Sequence, residues 1–275
     1  MRLVLARVIA GQLRLPTKTI AGRFVSRRFQ QQSAYLEKGA VKLLNIQPDD
    51  RVLEIGFGGG IGLRTAYWRV AEGSGMIYGV ERSRFMLEKA RKFCALEIAE
   101  GKIQLCLGLA SHLPFPDSFF DRVFHCNSYY YWSNLLLAAA ELKRVMKPGA
   151  IMVTTLCFED LKLMEEEGYL QNSNPDPIDY MHSLETVGFE GINIKYMTGA
   201  GGAEKIYQAI FATKPLQDKC TEESLEKDEE NFRRAVAEHQ AAETMKRTHR
   251  PVEPDYGSAK KSETTPQDSP AIDPK

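Results

Sequence analysis

A glycine-rich run at the end of an apolar stretch is the feature that most constrains the fold of this chain. An apolar segment over 52–55, interrupted only by Glu54, leads into three glycines. These are Gly56, Gly58 and Gly60, which stand at alternate positions. This pattern predicts a buried strand that ends in a tight turn, with backbone bare enough for a ligand to lie against it. The charge of Glu54 would repel a pyrophosphate and would favour a ligand that carries an ammonium group.

The spacing of these glycines does not fit the dinucleotide-binding fingerprint G-x-G-x-x-G in either register. Counted from Gly56 and Gly58, the third glycine would fall at Ile61. Counted from Gly58 and Gly60, it would fall at Leu63. A nicotinamide-dependent oxidoreductase is therefore disfavoured.

The segments that follow alternate between strand and helix patterns. A second strand over 76–80 ends at Glu81, where a carboxylate could accept hydrogen bonds from both hydroxyls of a ribose. Ser83 is the expected N-cap of a helix over 84–100. Further strands are predicted over 103–107, 119–124, 151–156, 192–197 and 206–213, and a helix over 181–189. This order predicts an α/β fold with a Rossmann-like seven-stranded sheet, mostly parallel with one antiparallel strand near the C-terminus, and helices on both faces.

Three later segments join the glycine loop in an ordered set of motifs. They are Leu113-Pro114-Phe115, Phe120-Asp121-Arg122-Val123 and Arg144-Val145-Met146-Lys147-Pro148-Gly149. The set resembles the class I S-adenosylmethionine-dependent methyltransferases, in the small-molecule branch that contains the ubiquinone and menaquinone biosynthesis enzymes, over roughly residues 45–213. Uncharacterised bacterial members share the N-terminal pattern Gly11-Gln12-Leu13-Arg14, Pro16 and Gly22-Arg23. The resemblance implies an enzyme (EC 2.1.1.-) that uses S-adenosyl-L-methionine to methylate a small-molecule or lipid-like acceptor by in-line displacement.

The same resemblance implies where the cofactor binds. Glu54 would hold the loop and meet the methionine ammonium, directly or through water, and Glu81 would bind the ribose diol; alternatively, Glu54 only braces the loop and Glu81 is a surface acid paired with a nearby arginine. Arg82 either stacks on adenine or lies in solvent. The implied cofactor-binding residues are Glu54, Gly56, Gly58, Gly60, Glu81, Arg82, Leu109, Ala110 and Asn127. We expect Glu81→Ala to weaken cofactor binding and to spare the fold, since an exposed strand tip has little packing to lose.

Leu109 departs from the Gly-Asp-Ala pattern of many relatives, in which the aspartate accepts a hydrogen bond from the adenine amino group. Here the Ala110 amide and apolar walls are expected to hold adenine, with Ser111 as a polar substitute. One missing hydrogen bond costs roughly 0.5–1.5 kcal/mol, up to ~10-fold in affinity. The departure leaves open a second hypothesis, in which the protein binds the cofactor without catalysis and acts as an assembly or regulatory partner. A third hypothesis is a protein methyltransferase.

On the acceptor side, the catalytic residue is unknown, because aligning a donor that is already activated needs no fixed catalytic group. His125 and Tyr129 are the candidates, against the alternative that both simply pack in the fold. The segment Asn127-Ser128-Tyr129-Tyr130 lacks the prolines of enzymes that methylate planar amino groups, so that chemistry is disfavoured. The surrounding aromatic residues either line an apolar acceptor pocket or pack the next helix.

Composition limits the partners that we expect. The formal net charge of +0 gives no global attraction to nucleic acid, and no apolar run reaches the ~18 residues of a membrane span. The five cysteines lack C-x-x-C spacing, which predicts reduced thiols and no metal site. We therefore expect a small-molecule acceptor as partner, no nucleic acid and no stable membrane insertion.

The two ends of the chain differ from its middle. Residues 1–36 carry seven lysines and arginines and no acid before Glu37, a pattern that suits either a mitochondrial presequence or a helical lid over the cofactor, and we favour the lid. A methyltransferase domain is predicted over 37–215 and a charged helical extension over 216–250, which could bind a protein partner. Residues 251–275 are predicted to be a disordered tail. The predicted location is cytoplasmic, with mitochondrial as the alternative.

Overall fold

The computed structural model describes residues 2–171, 173–199 and 205–216, and within them one sheet has seven strands. The strands are β1 Arg51–Ile55, β2 Met76–Glu81, β3 Ile103–Leu107, β4 Phe120–Cys126, β5 Met146–Leu156, β6 Glu190–Thr198 and β7 Ile206–Thr213. They lie in the order β3-β2-β1-β4-β5-β7-β6, and β7 runs antiparallel to both of its neighbours. The predicted fold class, a mostly parallel sheet with one antiparallel strand near the C-terminus, is confirmed.

Helices cover both faces of this sheet. They are α1 Arg2–Arg14, α2 Ile20–Leu43, α3 Ile61–Val70, α4 Arg84–Phe93, α5 Ala95–Ala99, α6 Leu135–Val145, α7 Phe158–Glu166 and α8 Pro177–Thr186. Neighbouring strand residues point to opposite faces, so Val52 and Phe124 pack in one core with α2, α3 and α4. Leu53 and Val123 pack in the other core with α6 and α8. Burial on both faces explains why the central strands are almost continuously apolar.

The structure differs most from the sequence prediction in three elements. The helix predicted over 84–100 breaks at Cys94, which leaves helical geometry at φ −104° and ψ 29° between α4 and α5. β5 starts five residues earlier than predicted, because Met146 pairs with Phe120 across an irregularity in the ladder. The helix predicted over 181–189 lies at Pro177–Thr186, since Asp176 caps it and a proline at its first position favours helix entry.

Other sequence predictions fall at the edges of what the structure describes. The charged extension beyond residue 216, the tail and Cys220 lie outside the described residues. At the other end, α2 runs without interruption across residue 36, where the domain boundary was predicted. Among the described residues, no helix is long and apolar enough to cross a bilayer, and no three candidate ligands are grouped to hold a metal.

Candidate active site

A cleft lies at the carboxyl ends of β1, β2 and β4, where parallel sheets of this kind bind ligands. Its first part, which we call the loop cleft, has a volume of about 130 Å³ and is bordered by the glycine loop, Glu81 and residues of α1 and α2. Its second part, the side cleft, has a volume of about 150 Å³ and lies against residues 108–111. Gly56, Arg82 and Trp132 border both parts, so the two form one elongated site.

The glycine loop turns one backbone amide toward Glu81. Gly58 has a φ of +50°, a left-handed conformation that glycine adopts without the strain of a side chain, and its N–H donates to Glu81 Oε2 over 3.1 Å. The loop closes when the Gly60 N–H donates to the Phe57 carbonyl over 2.9 Å, and Gly60 is the N-cap of α3. The alternate glycines of the sequence therefore form a turn that follows β1 and is hydrogen-bonded to the end of β2.

Glu81 is buried, whereas the sequence analysis expected an exposed strand tip. Glu81→Ala would therefore remove packing and hydrogen bonds as well as the predicted cofactor contact. Its side chain is 6% exposed, and its second oxygen accepts from the Ser83 N–H over 2.8 Å. Burial raises the pKa of Glu81, and the Ser83 and Gly58 amides oppose that rise. Removing the carboxylate would leave two amides without their acceptor, so glutamine is the better test substitution than alanine.

A second buried carboxyl group in the loop cleft was not predicted from the sequence. Glu37 on α2 borders the cleft, and its Oε2 accepts from the Gly62 N–H at the start of α3 over 2.6 Å. Burial raises the pKa of Glu37. The one sequence signal that could have pointed to Glu37 is that it is the first acidic residue after 36 residues without one.

Glu54 lies behind Glu37 and does not border either part of the cleft. It is 1% exposed and so close to Gly62 that a Cβ there would collide with its carboxylate. Burial raises the pKa of Glu54 well above its ordinary value, and the charges of Glu37 and Glu81 raise it further. Its Oε2 has no hydrogen-bond partner among the described residues. Burial therefore favours the protonated form of both Glu37 and Glu54 in the free protein.

The remaining predicted cofactor residues lie along the same cleft. Arg82 is half-buried, and its guanidinium donates to the Tyr131 carbonyl over 3.3 Å. Leu109 is 52% exposed and Ala110 is buried, and both border the side cleft. Asn127 has a left-handed φ of +49° and borders the loop cleft.

The two catalytic candidates are placed in the core. His125 is fully buried; its Nε2 lies 2.7 Å from the Tyr180 hydroxyl and 2.8 Å from the Thr154 hydroxyl, and its Nδ1 lies 3.1 Å from Ser128 Oγ. Burial lowers the pKa of His125 to about 3. Tyr129 is also buried, stacks on Tyr180 with ring centroids 4.6 Å apart, and donates its hydroxyl to the Pro175 carbonyl. This geometry favours a structural role for both.

We expect His125→Leu to destabilise the protein by about 3 kcal/mol, because buried hydroxyls lose their partner. The methyl transfer rate per folded molecule should change little, because His125 does not border the cleft. Urea unfolding measures the first quantity and labelled methyl transfer the second. His112→Leu, at an exposed loop histidine, is the matched control. An unchanged unfolding curve combined with lost activity would contradict the structural role.

The N-terminal segment closes over the cleft. Gln12, Leu13, Arg14 and Pro16 border the loop cleft from above. The Ser83 hydroxyl, which accepts from the Met86 N–H as the predicted N-cap, donates to the Pro16 carbonyl over 2.6 Å. The segment between α1 and α2 is therefore held to the tip of β2.

A larger cavity adjoins the loop cleft. It has a volume of about 860 Å³, lies between α1, α2 and α7, and is lined mainly by aliphatic and aromatic side chains. Its wall shares five residues with the loop cleft, namely Leu13, Val25, Phe29, Ser33 and Asn127. All four aromatic residues after β4 contact the core, and two of them, Tyr131 and Trp132, also border the loop cleft.

Comparisons with known proteins agree with this architecture. A model of the methyltransferase domain family matches residues 53–154. The chain is 25% identical over 161 residues to an uncharacterised methyltransferase of Bacillus subtilis, covering 58% of this chain and 83% of that protein. It is 31% identical over 122 residues to the demethylmenaquinone methyltransferase of Tropheryma whipplei, covering 44% of this chain and 48% of that protein. A complex of the Haloferax volcanii Trm112 activator with a methyltransferase shares the fold, with a TM-score of 0.61, 16% identity, and coverage of 71% and 95%.

The sheet order and the acidic glycine-loop cleft define an α/β enzyme that binds a cationic nucleoside ligand. Residues 53–154 match the methyltransferase domain family, the sheet has the strand order of the class I S-adenosylmethionine-dependent methyltransferases, and S-adenosylmethionine is the cosubstrate of this domain. The residues present fit this cosubstrate, whose sulfonium and ammonium groups are both cationic. Glu37, Glu54 and Glu81 bring three carboxyl groups to the loop cleft and the amino end of α3, and one oxygen of Glu54 has no partner among the described residues.

Proposed function

We propose that this methyltransferase acts on a small amphiphilic acceptor whose apolar part occupies the cavity between α1, α2 and α7. The observation that carries the proposal is the volume of about 860 Å³, with an apolar lining, directly beside the loop cleft. This volume lies in the ~300–1,000 Å³ range of small-molecule sites. The name of the Tropheryma relative, a demethylmenaquinone methyltransferase, supports an acceptor of this class.

We propose the following roles for the cleft residues. Glu81 accepts hydrogen bonds from the ribose diol, and Glu37 receives the methionine ammonium because its side chain borders the loop cleft. Glu54, behind it, braces the glycine loop. Arg82, Leu109 and Ala110 border the space for adenine, and Asn127 stands where the cofactor cleft meets the acceptor cavity.

This arrangement can promote methyl transfer by aligning the acceptor with the methyl donor. The bound cosubstrate supplies an activated methyl group, and the protein has to hold an acceptor atom in line with it and exclude water. α1 and the segment to Pro16 cover the loop cleft from above, which supports the lid interpretation of residues 1–36 over the presequence interpretation.

The function is tested by offering the full chain labelled S-adenosylmethionine with two sets of acceptors. One set contains prenylated quinols and other phenols with apolar tails, and the other contains polar catechols and amines of similar headgroup. We expect label transfer to the first set. Transfer to the polar set alone would overturn the proposed acceptor class.

Filling the cavity should separate acceptor use from cofactor binding. Ala21 on α2 lines the cavity, and Ala21→Trp should lower kcat/KM for the acceptor on the order of 10-fold or more, since overpacking of an apolar site costs ~1–3 kcal/mol. The affinity for S-adenosylmethionine, measured by calorimetry, should stay near that of the unmodified protein. Ala140→Trp, at a half-buried alanine of α6 that borders none of the three cavities, is the control. Equal losses in both variants would contradict the assignment.

A further inference from the structure

The outer surface of α1 and α2 exposes an unusual number of large apolar side chains, and we call it the N-terminal face. Its apolar members and their exposed fractions are Leu3 77%, Val4 66%, Leu5 59%, Val8 43%, Ile20 89% and Phe24 69%. Contiguous apolar surface of this kind marks a site of contact with a partner or a membrane. It lies on two adjacent helices that pack on each other.

Exposed arginines stand between these apolar residues at helical spacing. On α2, Ile20, Arg23, Phe24 and Arg27 follow the i, i+3, i+4, i+7 pattern, which places all four on one side of the helix. α1 repeats the start of this pattern with Val4, Arg7 and Val8 at i, i+3 and i+4. An apolar side with interspersed arginines is typical of helices that lie in a membrane interface, where the long side chains reach back to the headgroups.

The charges that α1 and the first half of α2 contribute to this face are of one sign. Acids of neighbouring helices lie beside them, since Glu88 borders a groove with Arg23 and Arg27, and Asp160 lines the acceptor cavity with Arg28. Arg7, Arg23, Arg27 and Arg28 are exposed, and none of them forms an ion pair with another residue in the part of the chain that the structure describes. No acidic residue precedes Glu37. The formal net charge of the whole chain is +0, so the attraction to an anionic surface is confined to this face.

The acceptor cavity opens on the same face. Leu5, Val8, Ile20 and Phe24 are exposed and also line that cavity. A ligand that enters between these four side chains would therefore come directly from whatever surface the N-terminal face contacts.

We propose that the N-terminal face docks on an anionic phospholipid bilayer and that an apolar acceptor enters the cavity from that bilayer. The docking stands on the exposed apolar and basic residues alone. The delivery of the acceptor rests on the proposed function.

Sedimentation of the full chain with lipid vesicles, without cofactor or acceptor, tests the docking. The protein should bind vesicles of phosphatidylcholine mixed with phosphatidylserine and should bind pure phosphatidylcholine much more weakly. Ile20→Ser/Phe24→Ser should weaken binding to the anionic vesicles at least ~10-fold, because the two most exposed apolar contacts of α2 are lost. Arg23→Gln/Arg27→Gln should weaken it by a similar factor, at about 5-fold for each arginine.

Ile178→Ser is the matched control, since Ile178 is 70% exposed but lies on α8, across the sheet from α2. Its vesicle binding should equal that of the unmodified protein. No binding of the full chain to anionic vesicles, or binding by both double variants that equals the binding of the unmodified protein, would overturn the docking. So would a lipid-free dimer that Ile20→Ser/Phe24→Ser converts to monomer, because a second copy would then cover the face.

The delivery step has its own readout. With a prenylated quinol embedded in anionic vesicles, Arg23→Gln/Arg27→Gln should lower kcat/KM about as much as it lowers vesicle binding. With a short-tailed quinol free in solution, this variant should retain most of the activity, because neither arginine lines the acceptor cavity or the two clefts. Vesicle binding without any transfer to either quinol would overturn the acceptor class and leave the docking supported, so the two failures are distinguishable.

Discussion

Glu81→Gln should weaken the binding of S-adenosylmethionine by roughly 100-fold, equivalent to about 3 kcal/mol. The carboxylate is held by the Gly58 and Ser83 amides and borders the loop cleft, so a ribose diol bound there would make charge-assisted hydrogen bonds to it. Glutamine keeps one acceptor oxygen and the shape of the side chain but loses the charge. Titration calorimetry with S-adenosylmethionine and with S-adenosylhomocysteine measures the loss for both ligands, which share the ribose.

The fold should survive this substitution. Because the side chain is buried, we expect the midpoint of thermal unfolding to fall by a few degrees at most, about 1 kcal/mol. Glu88→Gln is the control, since Glu88 lies on the neighbouring α4 in an exposed contact with Lys18 and outside the loop and side clefts. An unchanged affinity in Glu81→Gln would mean that the ribose lies elsewhere.

Glu37→Gln should abolish a proton release that accompanies cofactor binding near neutral pH. Burial raises the pKa of Glu37, so the carboxyl is largely protonated in the free protein. An incoming ammonium group favours the carboxylate, and up to about one proton should leave on binding. Calorimetry in two buffers of different ionisation enthalpy measures this number, and the affinity of the unmodified protein should rise with pH over the same range. In the glutamine variant both effects should disappear.

Glu37 should also make the free energy of unfolding of the free protein depend on pH. This stability should fall as the pH rises, whereas the affinity for the cofactor should increase. Since the folded pKa of Glu37 lies above its unfolded value, the folded state binds the proton more tightly. Its contribution is therefore fully present below the ordinary glutamate pKa of about 4.3 and is lost as the pH rises through the raised pKa. Urea unfolding across this range should give a flatter profile for Glu37→Gln. The matched variant Glu54→Gln separates the two carboxyls, because proton release lost there and kept in Glu37→Gln would assign the ammonium to Glu54.

Sequence reasoning succeeded where the physical cause is local. The alternation of apolar runs with caps and glycines placed all seven strands, and Ser83 was recognised as an N-cap because its hydroxyl accepts from an amide only three residues away. The parallel sheet then brought Gly58 and Glu81 together, since the carboxyl ends of adjacent strands meet at one edge. The length of β5 was underestimated because its first residues pair across the sheet, which no local pattern reports.

The features that only the tertiary structure decided depend on contacts between residues far apart in the chain. α2 folds back over the sheet and places Glu37 against Gly62, 25 positions later, so a residue of the N-terminal segment becomes part of the cofactor cleft. The imidazole of His125 made it a candidate catalytic base, but a hydrogen bond to Tyr180, 55 positions later, holds it in the core. The chain alone therefore determined the sheet and the glycine loop, because periodicity and turn chemistry act over a few residues, and the resemblance of its ordered motifs to the class I methyltransferases implied the cofactor. The acceptor cavity, the burial of the carboxyls and the exposed N-terminal face were decided by packing, because burial is a property of neighbours in space.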